Sequence, residues 1–407
     1  MCIIRSRTLL RRKFLTKRPV IILLLSICFS VLLTLEIFSQ WKLLKTNVTL
    51  FSRGPAVNET LAYQCCTPTN KSIRTNIFFL KTHKTGGTTV QSVLMRFAIM
   101  NSLDILKVNY ASYYLPFSDS SIPSQLMTPN NKYNVFADHA RYDPKIKQYQ
   151  YPDTSMVTLL RHPIKLFQSL YVFYQMDKTM GMTFQQFLNA PVKPPVLTGY
   201  NSDIVYRGYN QMSVDLGFDW TQSENTTAVA EFIAKIDREF DFVMITEYMD
   251  ESFVLLANLM GWPLEYVASL KLNARLPELD PYILTSRDEL TILDLNQIDT
   301  QLYNHFLAKF LKCKRQYGED NLSRQVQQLR IINENFKQRC VAEEVTGSNI
   351  GNVERLEYVP RNQSDMECFS SMQLLIGKTI RKIQAEKLQH NFINFIFGNK
   401  TNFSSKN

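Results

Sequence analysis

Strong charge of either sign is missing from most of this sequence. The formal net charge is +10 over 407 residues, and Arg5, Arg7, Arg11, Arg12, Lys13, Lys17 and Arg18 supply seven of those charges with no acid among residues 1–18. Only +3 is left for the rest of the chain, too little to mark a nucleic-acid binder by bulk charge. No Cys-x-x-Cys occurs, so the cysteines do not form a zinc pattern. No Asp-x-Asp occurs either, which removes the usual metal-and-nucleotide-sugar signature. Repeats and low-complexity tracts are absent. Charged residues are 20% and hydrophobic ones 45% of the chain, a balance that excludes global disorder and supplies one large core or two modest ones.

One long apolar run is present. Pro19 to Phe38 holds a single charge, Glu36, and as a helix it would span about 30 Å, the thickness of a bilayer core. The basic head places the N-terminal side in the cytosol. The residues after Leu35 offer no clean cleavage site, so the run is read as a retained anchor rather than a signal peptide. The rest of the chain is then luminal. Asn-x-Ser/Thr acceptors at Asn47, Asn58, Asn70, Asn225, Asn321, Asn362, Asn399 and Asn402 all follow the run. So do Cys65, Cys66, Cys313, Cys340 and Cys368, an odd set whose pairing the sequence leaves open. The expected layout is a cytoplasmic tail (1–18), an anchor (19–39), a luminal stem (40–74), a catalytic domain (75–340), and a C-terminal loop and helix packed on that domain (341–407).

From residue 75 onward short apolar runs alternate with helical periodicity, which predicts an α/β domain with a central parallel sheet. Strands are expected at Ile77–Leu80, Tyr133–Ala137, Met156–Leu160 and Phe242–Thr246, and helices at 88–100 and 164–174. A further helix begins near Asp250, with Asp250 or Ser252 as cap, and ends before Gly261. Residues 288–338 are helix-rich by pattern, 341–367 read as a loop, and 368–397 as a closing helix.

The most informative stretch lies between the first strand and its helix: Leu80-Lys81-Thr82-His83-Lys84-Thr85-Gly86-Gly87-Thr88-Thr89. A helix N-terminus there presents free N–H groups to an anion. Gly86 and Gly87 permit close backbone approach, Thr85, Thr88 and Thr89 add hydroxyls, and Lys84 adds a mobile charge. The lysine precedes the glycines, so this is not the Walker A order. Read alone, the stretch fits a glycine turn with a solvated lysine equally well. A second cation follows another strand: Leu160-Arg161-His162-Pro163, with Ser169 two helical turns on. Arginine with a hydroxyl donor suits a phosphate, although a lone arginine at a strand end is more often a cap.

Lys84-Thr85-Gly86-Gly87-Thr88-Thr89 resembles the 5′-phosphosulfate loop of sulfotransferases that use 3′-phosphoadenosine 5′-phosphosulfate (PAPS). Phe79 to Thr89, Asn210 to Phe218, Phe240 to Glu251 and Leu270 to Arg275 resemble the galactose-3-O-sulfotransferases. The resemblance implies a P-loop-like sulfotransferase fold, PAPS as co-substrate, no metal, and Golgi residence as a single-pass type II membrane protein. It implies an acceptor hydroxyl, the 3-hydroxyl of galactose, on a glycolipid or glycoprotein, and it leaves a homo-oligomer open. By the same likeness Lys84 is the catalytic lysine, residues 85–89 wrap the phosphosulfate, and Arg161 with Ser169 hold the 3′-phosphate. The segment Asp138-His139-Ala140-Arg141-Tyr142 matches the family's histidine segment, so His139 is expected as the base. The family pattern has two adjacent histidines there. Here Asp138 takes the neighbour's place and is expected to orient the imidazole. Two other readings share the anchor and the glycosylation acceptors: a type II Golgi glycosyltransferase of a metal-independent kind, and a non-enzymatic glycan-binding membrane glycoprotein.

Overall fold

The computed structural model describes residues 72–108, 122, 127–190, 197–200, 203–206, 208–272, 282–348, 354–362, 364–372 and 386. The apolar run, the stem, Asn47, Asn58, Asn70, Asn399, Asn402, Cys65 and Cys66 lie outside them. Among the described residues no helix is long and apolar enough to cross a membrane.

In chain order the elements are β1 (Ile77–Leu80), α1 (Gly87–Met100), β2 (Ile105–Leu106), β3 (Val135–Asp138), β4 (Ser155–Leu160), α2 (Pro163–Phe173), α3 (Met176–Met180), α4 (Phe184–Asn189), β5 (Leu197–Tyr200), β6 (Asp203–Tyr206), α5 (Gln211–Asp215), α6 (Thr226–Glu239), β7 (Phe242–Ile245), α7 (Met249–Met260), α8 (Ser286–Leu295), α9 (Gln297–Tyr317), α10 (Glu319–Cys340), β8 (Val341–Ser348), β9 (Glu354–Pro360) and α11 (Met366–Met372). Five strands form one sheet in the order β2-β3-β1-β4-β7, and every pairing in it is parallel. Helices flank the sheet. Its strands are short and mostly apolar because a parallel sheet is covered on both faces. Each residue of β1, β3, β4 and β7 is buried.

The chain leaves β1 toward β3 and leaves β4 toward β7, so the connections diverge between β1 and β4. That divergence opens a crevice beyond the C-terminal ends of these two strands, where α/β proteins bind their ligands. Two local devices start the helices that border it. Gly86 adopts a left-handed φ of 82° immediately before α1, a conformation that costs glycine little. Pro163 opens α2, where its fixed φ suits a first helical position and its missing N–H is not needed. Helix α1 then runs through the core, buried from Gly87 to Ala98.

Some expectations are corrected. Helix α7 begins at Met249, and its cap residue, Tyr248, makes no side-chain cap bond. Ser252 instead turns its hydroxyl back to both the N–H and the carbonyl of Ile245. Residues 341–367 are not a plain loop: β8 and β9 pair as an antiparallel hairpin. Of the closing helix expected over 368–397, only the start is described, as α11, and the rest lies almost wholly outside the described residues. Cys313 is buried in the core, and a disulfide joins Cys340 to Cys368. It fixes α11 beside α10, and from there Arg96 of α1 donates to Ser371 Oγ and to the Tyr266 carbonyl. Among the acceptor asparagines, Asn225 caps α6 through the Ala228 N–H and Asn362 is exposed in a turn closed by Ser364. Asn321 lies in the first turns of α10.

Candidate active site

The loop after β1 is built from the inside. Lys81 continues the strand ladder by donating its N–H to the Asp138 carbonyl. Its side chain then runs under the start of α1. A Cβ on Gly87 would lie 2.8 Å from Lys81 Cγ, so this position has room for glycine only while the lysine stem is there. The Lys81 ammonium donates to Gln91 Oε1 at 2.8 Å, and Gln91 donates to the Ala137 carbonyl and Asp138 Oδ1. Lys107, fully buried, pairs with the other Asp138 oxygen. One buried lysine thus pairs with the Asp138 carboxylate, and the other reaches it through Gln91. Burial pulls the Lys81 pKa down to about 8; Asp138 opposes that shift and Lys107 adds to it.

The tip of the loop follows. The Thr82 and Thr85 hydroxyls lie 3.0 Å apart, with the carbonyls of Leu159 and Thr82 respectively as the other acceptors in reach of their two protons. Lys84 takes a left-handed φ of 59° and Gly86 one of 82°. Conformations alternating in hand aim successive N–H groups into a concavity that favours anions. Thr85 is wholly buried, and Thr88 and Thr89 nearly so. The hydroxyl of Thr89 receives the Leu272 N–H. The Lys84 ammonium stands 3.5 Å from the Phe173 ring centroid on α2. Ser169 lies one turn before Phe173 on that helix, close to the same face, and is 9% exposed.

Arg161 reaches across from the end of β4 and donates from Nη1 to the Lys84 carbonyl at 2.9 Å. The two expected anion residues therefore sit on one side of the sheet, bonded through the loop itself. His162 donates its N–H to Glu247 Oε1, and the other Glu247 oxygen accepts from Tyr303. Burial lowers the His162 pKa, against the opposing pull of Glu247.

The histidine segment meets the same place. The His139 ring stacks on that of His83, with centroids 4.2 Å apart and 20° between planes. His83 Nδ1 lies 2.9 Å from Asp215 Oδ1, and the His83 N–H donates to Asp215 Oδ2. Both partners are buried. Asp138 Oδ1 accepts the backbone N–H of His139, and its second oxygen pairs with Lys107. Asp215 is placed by α5, whose first N–H groups at Met212 and Ser213 are received by Asp299. Asn210 returns the favour to α9 by accepting from Ile298 and Asp299. Gly217, at φ 89°, passes so close that a Cβ would lie 2.4 Å from the Tyr142 carbonyl, and this pins the Asp215 segment to the His139 segment.

The sequence did not single out His83 with Asp215, nor Lys81, Gln91 and Lys107 beneath the loop. Asp215 lies 132 positions from His83, and a buried lysine in a strand-end loop looks like any other lysine until the fold is known. The only advance signal for Asp215 was that Asn210–Phe218 resembled a family segment. Tyr209 packs against Phe167 and Phe187, which makes it core, whereas Trp220 is 52% exposed.

A parallel sheet with two cationic strand-end loops sharing one crevice, and a histidine pair beside them, defines a group-transfer enzyme of the α/β class. The family model for galactose-3-O-sulfotransferase matches residues 6–371, and the chain belongs to that family of carbohydrate sulfotransferases. It is 30% identical over 308 residues to galactosylceramide sulfotransferase of Mus musculus, covering 71% of this chain and 70% of that one. To galactose-3-O-sulfotransferase 3 of Homo sapiens it is 30% identical over 277 residues, covering 66% and 64%. Galactose-3-O-sulfotransferase 2 of Sus scrofa is 29% identical over 282 residues, covering 66% and 69%.

Proposed function

We propose that this chain transfers the sulfuryl group of PAPS to the 3-hydroxyl of a terminal galactose on a glycolipid or glycoprotein, in the Golgi lumen, held there by a single N-terminal anchor. The observation that carries the donor reading is the bond between Arg161 and the Lys84 carbonyl. It puts the Arg161 guanidinium against the loop that carries Lys84, which supports reading the two cations as parts of one site for a nucleotide phosphorylated at both ends. Loop N–H groups and Lys84 take the 5′-phosphosulfate, and Arg161 with Ser169 take the 3′-phosphate. The acceptor is read from the names of the relatives.

In the reaction the acceptor oxygen attacks sulfur and forms the new S–O bond. The S–O bond to the 5′-phosphate breaks, and adenosine 3′,5′-bisphosphate leaves. Lys84 stabilises charge growing on the departing phosphate oxygen, and His139 takes the acceptor proton. One observation favours a second assignment of the base. His83 is held at Nδ1 by Asp215, and a carboxylate there fixes the tautomer and supports an imidazolium formed at Nε2. His139→Gln and His83→Gln, compared for kcat with the donor KM monitored, separate the two: the base is the residue whose loss removes turnover while donor binding stays.

The test is incubation of the full chain with labelled PAPS and a panel of galactosides, with labelled nucleotide sugars as a parallel arm. Sulfation of galactose, with linkage to position 3, is expected. Label transfer from a nucleotide sugar in place of PAPS overturns the proposal in favour of a glycosyltransferase, and transfer from neither overturns it in favour of a glycan-binding protein.

A further inference from the structure

The segment Thr246-Glu247, at the end of β7, takes no part in the reaction as written above, yet it touches both walls of the crevice. Thr246 Oγ1 lies 2.6 Å from the Thr85 carbonyl and 2.9 Å from the Leu160 carbonyl. One side chain thus joins the loop after β1 to the last residue of β4. Thr246 Cγ2 is also 3.8 Å from where a Gly86 Cβ would lie, so its methyl packs against the tip of the loop. The neighbouring Glu247 accepts the His162 N–H, which steadies the second loop from the same segment.

Which carbonyl is captured matters. In a planar trans peptide the carbonyl and the following N–H point in opposite directions. Holding the Thr85 carbonyl toward β7 therefore turns the Gly86 N–H away from it. Arg161 acts likewise on the peptide before: by holding the Lys84 carbonyl it turns the Thr85 N–H away. The alternating backbone of the loop, left-handed at Lys84 and again at Gly86, collects such amides into one anion-binding concavity. An anion loop works by its N–H groups, so its carbonyls need a partner elsewhere, and Thr246 supplies one.

We infer that Thr246 is a positioning residue: it shares its one hydroxyl proton between the Thr85 and Leu160 carbonyls, the nearer being Thr85, and this tethers the loop to the end of β4 and aims the Gly86 N–H at the 5′-phosphosulfate. The inference rests on the donor reading of this same site and adds a residue that never touches the donor.

The test uses the full chain with Thr246→Val, which keeps the shape and removes the hydroxyl, and Thr246→Ser, which keeps the hydroxyl. Binding of adenosine 3′,5′-bisphosphate is measured, then kcat and KM for PAPS and for acceptor, with thermal unfolding in the absence of nucleotide. For Val, the Kd and the PAPS KM should rise together by about three- to tenfold, the effect of one net hydrogen bond. The acceptor KM should stay within about twofold, and Ser should behave as wild type. An unchanged Kd in Val, or a Ser variant as weak as Val, overturns the proposal. If Val does not fold, Thr246→Ala is read against Ser by the same criteria. A wild-type protein that does not bind adenosine 3′,5′-bisphosphate overturns the donor reading and this inference together; binding that is equal in wild type and Val overturns the inference alone.

Discussion

Between β1 and α1 the chain spends residues 81–86, two of them left-handed, whereas between β4 and α2 it needs only Arg161 and His162 before Pro163 starts the helix. On the donor reading proposed above, the two connections serve the same crevice by different chemistry. The longer one offers backbone amides, so its shape must be imposed from outside: Lys81 lies beneath Gly87, Asp215 holds the His83 N–H, Arg161 takes one carbonyl and Thr246 the next. The shorter one offers a guanidinium, whose charge and fork geometry are already in the side chain. A backbone site depends on many neighbours and a side-chain site on few, and the difference can be tested.

Lys84→Ala should break the chemistry most severely. Loss of a preorganised charge at the leaving group is expected to lower kcat by about 10²–10³-fold, while the unfolding curve without nucleotide stays in place. Near-normal turnover would remove Lys84 from the mechanism. Arg161→Ala should act on the other wall, raising the PAPS KM by roughly 10-fold or more with a smaller change in kcat, since charged hydrogen bonds contribute about 1.5–3 kcal/mol. An effect confined to the acceptor KM would contradict the assignment.

Gly217→Ala sharpens the claim that the backbone site is imposed from a distance. It forces a Cβ toward the Tyr142 carbonyl at a positive φ, and a loss of about 1–3 kcal/mol in stability is expected. The His83–Asp215 pair should be disturbed with it, seen as a shift in the His83 ring resonances. Stability and resonances both unchanged would show that this contact does not hold the pair.

The smallest effect concerns Lys81. Its folded pKa is about 8 against 10.5 for a free lysine, so between those values the unfolded chain binds more protons than the folded one. Stability attributable to Lys81 is lowered below pH 8 and recovers as pH climbs toward 10.5. Relative to Lys81→Met, the wild-type protein should therefore gain unfolding free energy over that range, while its affinity for nucleotide falls as the buried positive charge is lost. Parallel pH profiles for the two proteins would show that Lys81 stays charged throughout.

How much of this was legible in the residues follows from what each element buries. Strands β1, β4 and β7 stood out because a strand covered on both faces is a continuous apolar run, and Ile77–Leu80 was read to the residue. Strand β2 is two residues long and gives no pattern. The hairpin β8–β9 was missed because Glu343, Glu344, Thr346 and Glu354 face solvent, so the few residues it buries, Val341 and Tyr358, make no clear alternation. Ser252 looked like a helix cap, but its hydroxyl found the end of β7 instead. At the proposed site, Lys84, Gly86, Gly87 and Arg161 were visible as candidates because each lies at a strand end in the sequence pattern. Asp215, Lys107 and Thr246 were not, since each acts on a partner between 31 and 161 positions away, and only the folded chain brings them together.

The central claim is that Lys84 and Arg161 grip opposite ends of one nucleotide, and a four-way binding comparison tests it most directly. Equilibrium binding of adenosine 3′,5′-bisphosphate and of adenosine 5′-monophosphate is measured for the wild type and for Arg161→Ala. The wild type should prefer the bisphosphate, and the variant should lose most of that preference because the 3′-phosphate has lost its partner. If Arg161→Ala keeps the wild-type ratio between the two nucleotides, Arg161 does not meet the 3′-phosphate and the account is wrong.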